Sequence, residues 1–249
     1  MHRHALSDAQ WARLQAVLPR QVTGPKATRG DRLFVEAVIF RAKTGLPWRD
    51  LPERFGPWKS VYNRFSNWAK RGHWATIFRE LQIEVDETGS IVDGSVVRAH
   101  QDASGGKGGS DAMLWATLEE VFRPSSTPSS IRKRGRSHIA LTPGQRHEMI
   151  AAPELLAHAR GRALIGDTGY DSNEFMAAVR AKGMKPVIHS KPERKKKHRL
   201  ARALYRRRYQ VEVFFHDLKR FRAIATRYEK TARNYLALVH VACAWLWLK

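Results

Sequence analysis

Apolar residues recur at helical intervals of three and four along the first third of the chain, and beyond Arg79 the pattern shortens into strand-like runs. Ser7 precedes Gln10 by three in a capping-box arrangement, and Trp11, Leu14 and Val17 follow at helical spacing until Pro19 stops the run. A second helix is expected from about Asp31, with Phe34, Val35, Val38, Ile39 and Ala42 inward and Gly45 as its C-cap. Pro47 to Phe55, a turn at Gly56 and Pro57, and Trp58 to Lys70 read as helix, turn, helix. Trp58, Val61, Phe65 and Trp68 form the buried face of the last helix and leave Lys59, Asn63, Arg64 and Lys70 toward solvent.

The second part reads differently. Ser90 to Val97 is a strand-like run with Asp93 inside it, a short strand ends at Leu141 before a turn at Pro143 and Gly144, and Glu148 to Ala159 suits a helix. Ala163 to Gly166 is an apolar strand ending at Asp167, followed by the turn TGYDS and a helix from Asn173 to Lys182 closed by Gly183. Pro186 to His189 is the next strand. Strand, helix and strand at this spacing make a right-handed βαβ unit, so part of the sheet is expected to be parallel. No internal repeat is present.

Near the C-terminus Tyr205, Arg208, Glu212 and Lys219 share a helical stripe about 60° wide at roughly 100° per residue. Leu204, Val211, Phe214, Phe215, Leu218 and Phe221 fall on the neighbouring sector, which puts Glu212 at the rim of a buried face. Tyr235 to Leu248 is apolar but short for a bilayer and interrupted by His240, so it reads as a packed terminal helix.

Composition changes the picture mainly through charge. The 249 residues are 43% hydrophobic and 10% aromatic, enough for one large or two modest cores, yet the formal charge is +22. That excess points to a polyanion, most simply nucleic acid, with a membrane surface the weaker alternative. Ten Lys or Arg residues against the single acid Glu193 lie between Lys191 and Arg208, which reads either as an electrostatic track for DNA or as a solvated, disordered loop. The N-terminal MHRHALSDAQW has no apolar secretory core, and the lone Cys243 excludes an internal disulfide and a multi-cysteine zinc site, which suits a reducing cytoplasm. The stretch SGGKGGSD from Ser104 lacks a Walker lysine context and reads as a flexible loop.

An aspartate inside an apolar strand needs compensation, and divalent cations supply it. Hard carboxylate oxygens select Mg²⁺ or Mn²⁺. Asp171 is open to reading as a fourth ligand, but in its Gly-containing turn a cap of the following helix is favoured. The segment Pro47 to Lys70 suits a DNA-reading helix-turn-helix with Asn63 and Arg64 at base edges or phosphates; a plain helical bundle with a solvated charged face has the same spacing.

The order Y-x2-R-x3-E-x6-K resembles the YREK motif of bacterial DDE transposases. Its surroundings RYQVEVFFHDLKRFRAIATRYEKTARNYLALVH, together with TGLPWRDLPERFGPWKSVYNRFSNWAKRGHW, IVDGSVVRAHQ and DTGYDS, resemble the transposases of insertion sequence family five. The resemblance implies an α/β (α+β) fold, a ribonuclease-H-like mixed sheet flanked by helices over residues 86–249, preceded by an all-α helix-turn-helix-like region over residues 1–80. It implies Asp93, Asp167 and Glu212 as catalytic residues holding two Mg²⁺ or Mn²⁺ ions, and Tyr205, Arg208 and Lys219 at the DNA backbone. Lys59, Asn63 and Arg64 become candidate DNA contacts. The implied partners are double-stranded DNA, as terminal inverted repeats and target, and further copies of the chain. Thr168 stands where relatives often carry Lys or Arg, which weakens that position as a DNA contact.

From Met113 to about Arg136 the resemblance breaks. The family segment resembles ALGRSRGGFSTKIHAIVD and supplies two strands, whereas this chain reads MLWATLEEVFRPSSTPSSIRKRGR. Read one frame over, Trp115 followed by Ala116 must encode Gly, Glu119 to Phe122 permits Gly-Gly-Phe, and Ser126 to Ile131 permits His-Ala-Ile-Ile-Asp. The expectation is a reading frame that slipped near Met113 and was restored near Ser137, with the strands beside Asp93 missing or poorly paired. An active transposase, a catalytically defective DNA-binding remnant and a general nuclease of the same fold therefore stand as alternatives.

Overall fold

The structure, a computed structural model, describes residues 4–20, 29–82, 89–103, 115–122, 137–143, 149 and 151–249. The SGGKGGSD stretch, the turn at Gly144, the start of the Glu148 helix and most of the atypical segment lie outside them. The chain divides into two units. One comprises residues 1–81, 98–111 and 217–249, the other residues 82–97 and 112–216.

The first unit is helical. Helix α1 (Asp8–Gln15) starts with the expected capping box: the Ser7 hydroxyl accepts from the Gln10 N–H and the Gln10 side chain accepts from the Ser7 N–H. Helix α2 (Gly30–Thr44) ends at Gly45, whose φ of 72° is left-handed, as a C-cap requires. Helices α3 (Trp58–Lys70) and α4 (His73–Leu81) follow. The stretch from Pro47 to Phe55 forms two single 3₁₀ turns, Trp48–Asp50 and Glu53–Phe55, instead of the expected helix. Pro52 is the reason: it holds Leu51 extended (ψ 127°) and interrupts any α-helical ladder.

Helices α9 (Arg222–Ala225) and α10 (Ala232–Leu248) pack with α2, α3 and α4. Helix α10 is apolar on every side, with Leu238, Val239, Cys243 and Trp247 all buried, so it needs partners all round. Burying each large apolar side chain contributes about 1.5–3 kcal/mol. No helix among the described residues is long and apolar enough to cross a membrane.

The second unit is built on a mixed sheet of order β3-β2-β1-β4-β5, as a ribonuclease-H-like domain requires. Its strands are β1 (Ser90–Ala99), β2 (Trp115–Phe122), β3 (Ser137–Pro143), β4 (Ala163–Gly166) and β5 (Lys185–Ile188). Strands β1, β4 and β5 run parallel, and helix α6 (Asn173–Ala181) makes the β4-α6-β5 crossover. Val92, Leu164 and Ile188 of the sheet join Leu155 of helix α5 (Ala152–His158) and Phe175 and Val179 of α6 in one core. The last residues of β1, Arg98 and Ala99, belong to the first unit and pair there with the short β6 (Thr226–Arg227).

The hairpin beside β1 is present. Strand β2, inside the atypical segment, pairs antiparallel with β3 from Ala116 opposite Pro143 to Phe122 opposite Ser137. Sheet ladders are made by backbone groups, and WATLEEVF carries enough β-branched and aromatic residues to adopt the extended form despite its two acids.

Candidate active site

Three segments of the second unit converge on the candidate acids. Asp93 follows buried Ile91 and Val92 in β1 and is itself 8% exposed. Asp167 follows β4 directly, and its carboxylate accepts from the Gly169 N–H at 2.9 Å, capping the Thr168–Tyr170 turn. The register relates them: Ser90 faces Leu164 and Ile91 faces Ile165, and the same offset of 74, continued two residues past these pairs, puts Asp93 beside Asp167 just beyond the end of β4. Neighbouring strands lie about 4.8 Å apart, so these aspartates start from adjacent backbone positions.

The third segment is a nearly continuous helical run: α7 (Arg202–Tyr205), a 3₁₀ turn (Arg206–Arg208) and α8 (Tyr209–Lys219). Helix α7 packs on β4 and β5, which anchors the run over the sheet. Val211, Phe214, Phe215 and Leu218 are buried as expected, while the Glu212 side chain is 59% exposed at their rim. Arg208 ties the helical run to β1. Its Nη1 donates to Asp93 Oδ2 at 3.0 Å and its Nη2 pairs with Glu212 Oε1 at 3.0 Å. One guanidinium thus spans both acids, whose oxygens are separated by no more than its own width and two hydrogen bonds.

Electrostatics agree with this convergence. Burial pushes the Asp93 carboxyl up to about 6; Arg208 and the Gly94 N–H pull it down, and the charges of Asp167 and Glu212 raise it again. The Tyr205 hydroxyl is also raised, by burial first, with Arg208 opposing and Asp167, Asp93 and Glu212 reinforcing. Tyr205, Arg208 and all three acids therefore share one local field. Lys219 ends α8, exposed and about 10 Å along the axis from Glu212.

The donor set, two aspartates and a glutamate, is chemically that of a hard divalent cation. Among the described residues no three His, Cys, Asp or Glu side chains are arranged to hold an ion, and Arg208 lies between two of the three acids. One cation already offsets part of the site's charge, and the fit to a metal requires that guanidinium to withdraw.

Two sequence expectations change. Ser172, not Asp171, caps α6, accepting from the Phe175 N–H. Asp171 is instead a buried anchor. It accepts from the Lys191 N–H at 2.8 Å and from Arg194 Nε at 2.9 Å, pairs with Arg194 Nη2 at 2.8 Å and meets His198 Nε2 at 3.2 Å. The basic run thus follows a defined path from this point. Nothing local in the sequence announces it, because the partners lie 20 to 27 residues away.

In the first unit Lys59 and Asn63 are exposed on α3 as expected, but Arg64 is not free. It pairs with Asp31 and stacks over Phe34 at 4.2 Å and Trp68 at 5.0 Å, bracing α3 against α2. A stripe read from one helix alone cannot show a partner on the next.

Residues 6–78 match the family described as "Putative transposase of IS4/5 family", and residues 136–247 match "Transposase DDE domain". The chain is 36% identical over 118 residues to "Uncharacterized protein y4sN" of Sinorhizobium fredii, covering 94% of that protein and 46% of this one. It is 37% identical over 114 residues to "Putative transposase for insertion sequence element IS6501" of Brucella ovis, covering 87% and 45% respectively. A mixed sheet with acids on adjacent strands, joined to a DDE-domain match, defines the class as a DNA transposase of the DDE type. The chain belongs to the IS4/5 family of insertion-sequence transposases.

Proposed function

We propose that Asp93, Asp167 and Glu212 form the catalytic centre of a transposase that cleaves the ends of its element and joins them to target DNA. The observation that carries this reading is the convergence at Arg208 and in register: Asp93 and Asp167 on neighbouring strands, and Glu212 bound through one guanidinium to Asp93. The three acids would hold two Mg²⁺ or Mn²⁺ ions, which supply Lewis-acid activation of the attacking hydroxyl and neutralise charge on the leaving oxygen. The chain's own groups orient the substrate. Tyr205 and Arg208 lie where a phosphodiester meets the acids, and Lys219 braces a phosphate further along the helix.

Charge supports the DNA partner. The run from Lys191 to Arg208 leads from the Asp171 anchor to the acids, and Lys59 and Asn63 present a second polar face on α3. Contacts of this kind position the duplex and make binding salt-dependent. The protein acts in the cytoplasm, as several copies on paired DNA ends.

The test is Mn²⁺-dependent nicking of a duplex carrying the element's end, comparing the wild-type chain with Asp167→Ala. Nicking lost in the variant and focused on the end is the expected result. DNA binding without nicking in the wild type makes the chain a defective remnant, and nicking without preference for ends makes it a general nuclease.

A further inference from the structure

The helical unit contains a cleft of about 990 Å³, formed by the Trp48 turn, α3, residues 101–102 and the segment between β6 and α10. The volume lies at the upper end of small-ligand sites. Four rings line it, Trp48, Trp58, Tyr62 and Tyr228, each only half-buried. Trp48 packs against Tyr62 and Phe65, and Tyr228 against His100 at 4.7 Å, and the exposed remainder of the four rings is what a flat ligand can stack on.

The floor is polar and built. Glu229, 6% exposed, accepts from Trp48 Nε1 at 2.9 Å and pairs with Arg41 Nη2 at 3.0 Å. Arg41 is 2% exposed and stacks over Trp48 at 5.2 Å, yet its Nε and Nη1 have no hydrogen-bond partner. A buried guanidinium with unused donors costs free energy that a ligand bearing acceptor atoms recovers. At the rim, Arg49 and Lys230 are exposed, with the Arg49 guanidinium 5.8 Å over the Trp58 ring.

A flat ligand with ring-nitrogen or carbonyl acceptors and an attached anion satisfies all three features. We propose that this cleft takes a nucleobase that has left its duplex, stacked on the aromatic rings with its acceptors toward Arg41 and its phosphates against Arg49 and Lys230. A paired base cannot present its face to a cleft, so the nucleotide must be extruded or single-stranded. The proposal rests on the reading that α3 contacts DNA: Trp58 and Tyr62, on the cleft, alternate with exposed Lys59 and Asn63 on the same helix.

The probe is a thymidine tetranucleotide and the same tetranucleotide with abasic sites, each titrated into the full chain and followed by tryptophan fluorescence. The base-bearing strand is expected to bind about tenfold tighter, the scale of stacking one base on an aromatic side chain. Trp58→Ala, and separately Tyr228→Leu in case the first variant misfolds, should bring the two affinities together. Equal binding of both strands by the wild-type chain overturns the proposal, and so does a base preference that survives both variants. Duplex binding and Mn²⁺-dependent nicking are measured on the same preparation. Their absence would sink the transposase reading without touching the comparison of the two tetranucleotides.

Discussion

Arg208 donates to Asp93 across 115 residues of sequence at 3.0 Å, and its other terminal nitrogen holds Glu212. The guanidinium therefore occupies the electrostatic position of a cation shared by two of the acids. Replacing it by Met removes a competitor for those carboxylates. At pH 8, above the Asp93 value of about 6, Arg208→Met is expected to bind Mn²⁺ about tenfold more tightly, equivalent to about 1.4 kcal/mol. Nicking should fall, because the phosphate loses its contact. Calorimetry on the DNA-free protein checks this, and weaker Mn²⁺ binding in the variant would mean that Arg208 shapes the site instead of competing for it.

Asp171 gives a second prediction. Burial opposes its charge, yet hydrogen bonds from Arg194, the Lys191 N–H and His198 outweigh burial and hold the carboxyl below its ordinary value. A depressed carboxyl stabilises the fold above its unfolded pKa, and that contribution is lost as pH falls through the folded value. Asp171→Asn keeps the shape and removes the charge. A loss of about 2 kcal/mol is expected in urea denaturation, on the scale of a hydrogen bond to a charged group. Amide exchange should quicken selectively over residues 191–198. Unchanged exchange there would show that the basic run does not depend on this anchor.

These two sites mark what the linear sequence could reveal. Periodicity and caps located α1, α2, α3, α6 and β4 closely, because capping boxes, left-handed glycines and apolar alternation are local causes. Asp93, Asp167 and Glu212 were legible from the resemblance and from their settings at a strand, a strand end and a helix rim. Arg208 as their bridge, Arg64 as a brace to Asp31 and Asp171 as an anchor were not legible. Each depends on a partner brought close only by folding. The neighbours of α10 were not legible for the same reason, since an all-apolar helix does not say which elements will cover it.

Lys43 sets a pH dependence. Its ammonium sits 3.4 Å from the centroid of the Phe221 ring, and burial, with smaller effects from Lys249 and Arg220 and opposed by Asp217, lowers its pKa to about 8. A base depressed on folding binds fewer protons folded than unfolded between about 8 and the ordinary lysine value of 10.5. Its contribution to stability therefore rises with pH across that window. Thermal melts of the wild type and Lys43→Met from pH 7 to 10 should show the wild type gaining relative to the variant above pH 8. A constant difference would remove Lys43 as the cause.

The atypical segment provides the last test. Strand β2 pairs with β3 over seven positions, and that register sets Glu119 opposite Ala140 and Glu120 opposite Ile139, whose side chains are both buried. Acids are depleted in strands, and the text inferred in the shifted frame puts Gly-Gly-Phe over residues 119–122 and its Ala-Ile-Ile beyond the end of β2. The coding DNA between Met113 and Ser137, read one frame over, is expected to encode that family text. A chain carrying it over the whole segment should be more stable by at least about 1 kcal/mol and should nick faster, because the family text suits two strands beside β1 where the present one is rich in serine and proline. DNA sequencing decides the first point: a shifted frame without the family text ends the hypothesis. Denaturation and nicking of the restored chain decide the second, and a restored chain no more stable than the present one would mean that β2 already serves the sheet as it stands.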